Sequence, residues 1–188
     1  MNQPVNTNIA PVTLEQILNA REQRQSVQSK LLKQYQSALI CLTINMPGKF
    51  KLTKDSIFLF NEAVCAIEPL AQKNNWQILY QLQQELKTGP EGYWVIATRA
   101  ATKIKKKLIE LEQKHPLGRL WDIDVFSPET GYALSRKMLA IEPRACLICD
   151  QPAKVCARSQ QHSLLQLLTV IQNKITNYRN SHAFEDDR

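Results

Sequence analysis

No stretch of this chain approaches the ~18 consecutive apolar residues that a membrane-spanning helix needs. Nor does the polar segment 1–11 show the basic-then-apolar order of a secretory signal. Both absences predict a soluble, cytoplasmic protein with no membrane partner. Neither a Walker loop nor a Gly-x-Gly-x-x-Gly occurs, which excludes the nucleotide folds built on those loops. A Gly-x-Ser-x-Gly elbow is missing too, so a serine hydrolase of that type is unsupported. Aromatic residues make up only 7% and are not interleaved with basic ones, which argues against stacking of nucleic-acid bases. Internal repeats and low-complexity segments are absent. Acidic side chains are outnumbered, 17 against 24 Lys and Arg. The resulting net charge of +7 favours a polyanionic partner: nucleic acid, nucleotide phosphates or an acidic protein.

The composition is otherwise that of a globular protein, with 188 residues, 44% apolar and 22% charged. A chain of this size buries about 70% of the surface its unfolded form exposes, so it needs no disulfide staples. Its 5 cysteines, an odd number, suit free thiols or a metal site better than a disulfide framework. One domain is expected over 13–178, between tails at 1–12 and 179–188. Thr13 and Gln16 make a capping-box pattern, which predicts a helix running to about Tyr35. Ala38 to Asn45 is short, apolar and partly β-branched, and predicts a buried strand. A helix is expected over Lys54 to Lys73 and a strand from Trp76 to Gln83. Thr88-Gly-Pro-Glu-Gly92 predicts a turn, and a second long helix should run from Tyr93 to Lys114 until Pro116 and Gly118 stop it. Leu120 to Phe126 alternates strictly and predicts a strand, with Tyr132 to Ser135 returning as its hairpin partner. A cysteine-rich loop from Pro143 to His162 and a last helix from Ser163 to Tyr178 complete the chain. Mixed helices and strands give an α+β (mixed α/β) class. Cys41 and Cys65 fall in apolar runs and are expected in the core.

Two clusters carry chemistry. Asp122 and Asp124 stand two apart in the expected strand, so their carboxylates share one face while Ile123 and Val125 face the core. Carboxylates held together raise each other's proton affinity, and a divalent cation removes that conflict. Mg²⁺ is the cation usually held by one or two carboxylates together with substrate phosphates. Arg119 and Arg136 have the fork geometry that grips phosphate, and Gly118 lets the main chain come close to it. The same pair also suits a solvated edge strand, or two acids bridged by arginines. Asn45 and Lys49 flank the Pro47-Gly48 loop after the first strand, a frequent phosphate position in α/β proteins. Cys146, Cys149, Cys156 and His162 make the second cluster, with donors suited to a tetrahedral structural Zn²⁺. A redox Cys-x-x-Cys or ordinary reduced thiols are the alternatives. Lys103, Lys105, Lys106 and Lys107 read as a solvated helix face or an attraction for an acidic partner. His115 reads as a helix-end histidine.

Several separated segments, taken in order, resemble one family. They are Ala20-Arg-Glu-Gln-Arg24, Leu42 to Gly48, Thr88 to Gly92, His115 to Val125, Leu134 to Arg136, Pro143 to Cys149, and Cys156 to Ser159 followed by His162. Together they are similar to the holo-[acyl-carrier-protein] synthases of citrate lyase, the apo-citrate lyase phosphoribosyl-dephospho-CoA transferases. The resemblance spans roughly 13 to 175. It implies transfer of the phosphoribosyl-dephospho-CoA group from triphosphoribosyl-dephospho-CoA to a serine of the apo acyl carrier (gamma) subunit, with release of pyrophosphate. It also implies a nucleotidyltransferase-like mixed sheet flanked by helices, with Asp122 and Asp124 holding Mg²⁺. Arg119 would act beside them, and Gly118, Arg136, Lys49 and Asn45 would bind substrate. Such folds usually place a Gly-Ser pair before the acidic strand, where this chain has Gly118-Arg119. Glu129 and Glu142 are the candidates for a third carboxylate. The acidic carrier would dock on a cationic face drawn from Lys103, Lys105, Lys106, Arg21 and Arg24. Two other readings compete: a basic zinc-knuckle module binding nucleic acid, and a non-catalytic chaperone of an acyl carrier protein.

Overall fold

The computed structural model describes residues 10–182. The expected tail 1–12 falls mostly outside that range, as does 183–188 of the second tail. Helix α1, Leu14–Tyr35, begins at the expected capping box: Thr13 Oγ1 accepts from the Gln16 N–H, and the Gln16 side chain accepts from the Thr13 N–H. Strand β1, Ala38–Ile44, follows, then helix α2, Lys54–Lys73. Strands β2, Ile78–Leu86, and β3, Gly89–Ile96, form a tight hairpin. Helix α3, Ala101–Lys114, leads through a single 3₁₀ turn, Gly118–Leu120, into strand β4, Trp121–Phe126. A short helix α4, Ala153–Ser159, lies within the cysteine segment, and α5, Leu164–His182, continues past the expected end at Tyr178. No helix among the described residues is long and apolar enough to cross a membrane.

The strands form one sheet in the order β2-β3-β1-β4, with every neighbouring pair antiparallel. The α+β class holds, and the sheet is antiparallel throughout. Alternation along the strands divides its two faces. On one face, Ile40, Leu42, Trp94, Trp121 and Ile123 pack with Leu59 and Ala63 of α2, Ile104 and Leu108 of α3, and Ile171 and Ile175 of α5. On the other, Leu39, Cys41, Tyr93 and Val95 meet Leu31 and Leu32 of α1. The molecule is thus α1 on one side of a four-stranded sheet and three helices on the other.

Four expectations are corrected. Tyr93 to Ile96 is strand, and α3 starts only at Ala101. Every residue of β3 is buried, because an inner strand covered on both faces needs no polar alternation. Gly92 belongs to that strand: a Cβ there would meet the Trp94 ring at 2.5 Å. Cys65 is exposed, since the buried stripe of α2 runs through Ala63, Val64 and Ile67 and turns position 65 outward. The hairpin after β4 reduces to a single bridge between Phe126 and Ala133. A returning strand would need the edge carbonyl of Ile123, and the Lys105 Nζ already donates to it at 2.6 Å.

Candidate active site

β4 is an edge strand, and its burial alternates strictly: Trp121, Ile123 and Val125 are buried, Asp122 and Asp124 half-buried. Ile123 and Val125 face the core as expected. The two carboxylates project from the α1 side of the sheet. They end two cross-strand rows, Glu91–Thr43–Asp122 and Tyr93–Cys41–Asp124. Their side chains stay 47% and 48% exposed, so solutes reach them.

Each aspartate has a cationic neighbour. Arg144 donates from Nη1 to Asp122 Oδ1 at 2.8 Å, and Lys105 Nζ lies 3.7 Å from Asp124 Oδ1. Burial, then the charge of Asp122, pushes the Asp124 carboxyl above its ordinary range. Burial also pulls Lys105 below the usual lysine range, against the opposing pull of Asp124. Glu112, at the buried end of α3, bonds Arg136 at 2.7 Å and Arg144 at 2.5 Å. The result is a connected chain of charge, Arg136–Glu112–Arg144–Asp122, with Asp124 and Lys105 beside it.

The aspartates open into a cavity of about 730 Å³, whose walls include Asn45, Arg119, Arg136, Glu142 and Arg144. Most of the expected site residues therefore come together, though not all in the expected roles. The Arg119 guanidinium donates to the Ala145 carbonyl, with Nε at 2.9 Å, and Arg136 is engaged by Glu112. Gly118 is packed against the end of α3: a Cβ there would lie 2.3 Å from the Glu112 carbonyl oxygen, so close packing explains the glycine. Lys49 stands apart, over the Phe50 ring and on the wall of a separate apolar cavity. Glu129 turns toward Arg99 at 3.6 Å. His115 caps α3, where its Nδ1 accepts from the Leu117 N–H and burial lowers its pKa.

The five cations expected on one docking face are divided. Lys105 is buried, Arg24 bonds Glu91, and α1 and α3 flank opposite sides of the sheet. Lys103 and Lys106 remain exposed.

Cys146, Cys149, Cys156 and His162 do converge. Their ligating atoms all lie within 4.8 Å of one another. Cys149 Sγ is 3.5 Å from Cys156 Sγ and 3.2 Å from His162 Nε2. Zn–S bonds of about 2.3 Å place two sulfurs about 3.8 Å apart in a tetrahedron, so the cluster can hold a metal ion of that size. It borders the active-site cavity through Arg119, whose partner Ala145 precedes Cys146.

Sequence reasoning missed Arg144, Glu112 and the buried role of Lys105. For the two α3 residues a signal existed. Ala101, Lys105, Leu108 and Glu112 fall at helical spacing on the buried stripe, and a charge on such a stripe needs a partner. Arg144 carried no such signal, because Asp122 is far away in sequence.

A family model described as apo-citrate lyase phosphoribosyl-dephospho-CoA transferase matches residues 12–178. An Escherichia coli protein named "Apo-citrate lyase phosphoribosyl-dephospho-CoA transferase" is 43% identical over 157 residues, covering 84% of this chain and 85% of that protein. A Vibrio cholerae protein named "Probable apo-citrate lyase phosphoribosyl-dephospho-CoA transferase" is 40% identical over 168 residues, or 89% of this chain and 93% of that one. A charged cavity around paired edge-strand aspartates accords with a phosphate-handling enzyme, and by extent of match the chain belongs to the apo-citrate lyase phosphoribosyl-dephospho-CoA transferase family.

Proposed function

We propose that this chain transfers the phosphoribosyl-dephospho-CoA group from triphosphoribosyl-dephospho-CoA to a serine of the apo acyl carrier subunit of citrate lyase. The serine oxygen forms a bond to the donor's innermost phosphorus, the bond to the outer two phosphates breaks, and pyrophosphate leaves with release of the serine proton. Family membership supports the reaction. The observation that carries the site is the half-exposed Asp122 and Asp124 pair, held on one face of an edge strand within a cavity walled by arginines.

Asp122 and Asp124 are the residues that would hold Mg²⁺. The fit rests on the donor set: two half-exposed carboxylates, one of them pushed up in pKa by burial and by the other's charge. Bound there, Mg²⁺ would neutralise phosphate oxygens and favour departure of pyrophosphate. Arg144 and Lys105 hold the two aspartates in place from the main chain outward. Arg136 is oriented by Glu112, and Arg119 by the Ala145 carbonyl, each keeping part of its guanidinium for phosphate oxygens. Asn45 and Glu142 line the same cavity, and Glu142 is our candidate for a third acid. Cys146, Cys149, Cys156 and His162 are the residues that would hold a structural Zn²⁺, which would fix the segment carrying Arg144. The cytoplasm, where citrate lyase substrates and reduced thiols coexist, is the compartment that suits this chemistry.

Intact mass spectrometry of apo carrier incubated with protein, donor and Mg²⁺ tests the reading. The carrier should gain the mass of the donor less pyrophosphate. Asp122→Asn and Asp124→Asn should each lower the rate by at least about a hundredfold, a loss of about 2.7 kcal/mol of transition-state stabilisation, with unchanged circular dichroism. Near-normal turnover in either variant removes the metal-site assignment. A zinc-dependent nucleic-acid module is not favoured, since the chain's described basic residues are divided between faces and several are engaged by acids.

A further inference from the structure

Asp122 also lines a second cavity, on the α1 side, of about 210 Å³. Its walls include Arg21 and Arg24 of α1, Lys51 of the loop before α2, Thr43 and Asn45 at the end of β1, and Gly89 at the start of β3. Three cations meet here around a mostly polar surface. Only one has its charge answered by an acid. Arg24 donates from Nε to Glu91 Oε1 at 3.0 Å, and Glu91 is held in turn by the Tyr93 hydroxyl at 2.7 Å. Neither Arg21 nor Lys51 takes part in an ion pair among the described residues. The Lys51 ammonium donates to the Met46 carbonyl, a neutral acceptor that fixes its direction without cancelling its charge.

Bringing two like charges together beside a partly buried wall costs energy unless an anion joins them. Lys51 carries the mark of that cost: burial, then the charge of Arg21, pulls it below the usual lysine range. The α3-side cavity has lost much of its free cationic capacity, because Glu112 engages both Arg136 and Arg144. Arg119, bonded only to the Ala145 carbonyl, keeps its charge on that side, and Arg21 and Lys51 add unanswered positive charge on the α1 side of Asp122.

We propose that Arg21, Lys51 and the Glu91-anchored Arg24 form a polyphosphate subsite that receives the outer two phosphates of the donor and holds them as the leaving pyrophosphate. Assigning the anion to the donor rests on the transferase reading, whereas the subsite's affinity for a polyphosphate does not. Asp122 and Asn45 stand between the two cavities. The phosphate chain thus lies across β4's end, with its reacting phosphorus at the aspartates and its outer part under α1. Thr43, between Glu91 and Asp122 in its row, offers a neutral hydroxyl to that chain.

Isothermal titration of inorganic pyrophosphate into the full-length protein tests the subsite without carrier or transfer. Arg21 is exposed on its helix, so Arg21→Gln removes a charge without disturbing the core. Lys51→Gln is the second variant. Each should weaken pyrophosphate binding about tenfold and lower the salt dependence of binding, while Lys33→Gln at the far end of α1 leaves both unchanged. The subsite is overturned if the wild type binds no pyrophosphate. It is equally overturned if both variants bind like wild type, or if Lys33→Gln weakens binding as much as they do. Absence of any mass gain on the carrier, with Arg21-dependent pyrophosphate binding intact, refutes the transferase reading and leaves the subsite standing. A mass gain with pyrophosphate affinity unmoved by either variant does the reverse.

Discussion

Glu112 is almost wholly buried, and its two carboxylate oxygens each accept from an arginine. It is tolerated there because two guanidiniums bond it; without it Arg136 would lose its acidic partner, while Arg144 would keep only Asp122. Removing one member of such a group leaves buried charge uncompensated, at a cost of about 3–5 kcal/mol. Glu112→Ala should lower the urea midpoint accordingly with an unchanged slope, as read by circular dichroism. A loss below about 1 kcal/mol would show the arginines finding water instead. The residue scale is also where the sequence was least legible. Asp122 and Asp124 announced themselves through spacing alone, because strand alternation fixes which side chains share a face. Arg144 could not, since what brings it to Asp122 is the path of a loop with no periodicity. Lys105 looked like one of a run of solvated lysines. Its position on the buried stripe of α3 was the information that distinguished it.

At the scale of elements, α1, β1 and α2 were readable because each follows one rule: a capping box, a short apolar run, a helical stripe. Strand β2 was legible in its alternation, whereas β3 was obscured by its own burial. Four consecutive apolar residues, Tyr93 to Ile96, fit a helix or a doubly covered strand equally well, and only the partner strand decides. Helix α4 is a different case. Its 7 residues are too few to persist alone in water, where isolated helices shorter than about 12 residues are marginal. Cys156 on α4 and His162 beyond it join Cys146 and Cys149 before it, so a metal would clamp both ends of the element. Elemental analysis should find about one zinc per chain in protein purified without chelator. Stripping it should lower the melting temperature and expose the 143–162 segment to protease, while Cys149→Ser does the same without chelator. Metal-free protein with an unchanged melting temperature would return these four residues to ordinary thiols and a surface histidine.

The whole molecule is basic, but its charge is partitioned. One group of cations sits under α1, another around Glu112, and Lys103 and Lys106 stand exposed on α3. The proposed carrier, expected to be acidic, would be steered by such a surface over distances comparable to the Debye length, about 10 Å at 0.1 M salt. With carrier below saturation, the initial transfer rate should fall several-fold between about 0.05 and 0.3 M NaCl, whereas the rate at saturating carrier changes little. Equal losses in both regimes would place the salt effect on the donor rather than on docking. The strict alternation of β4 has a consequence for how this chain can vary. Trp121, Ile123 and Val125 belong to the interior and Asp122 and Asp124 to the cavity, so parity along six residues separates structure from chemistry. One codon inserted there would exchange the two sets, sending both acids inward and the indole into water. One codon inserted at the exposed Glu129–Tyr132 turn would lengthen a loop. Descendants of this chain can therefore drift in length in the turn after β4, but not within the strand.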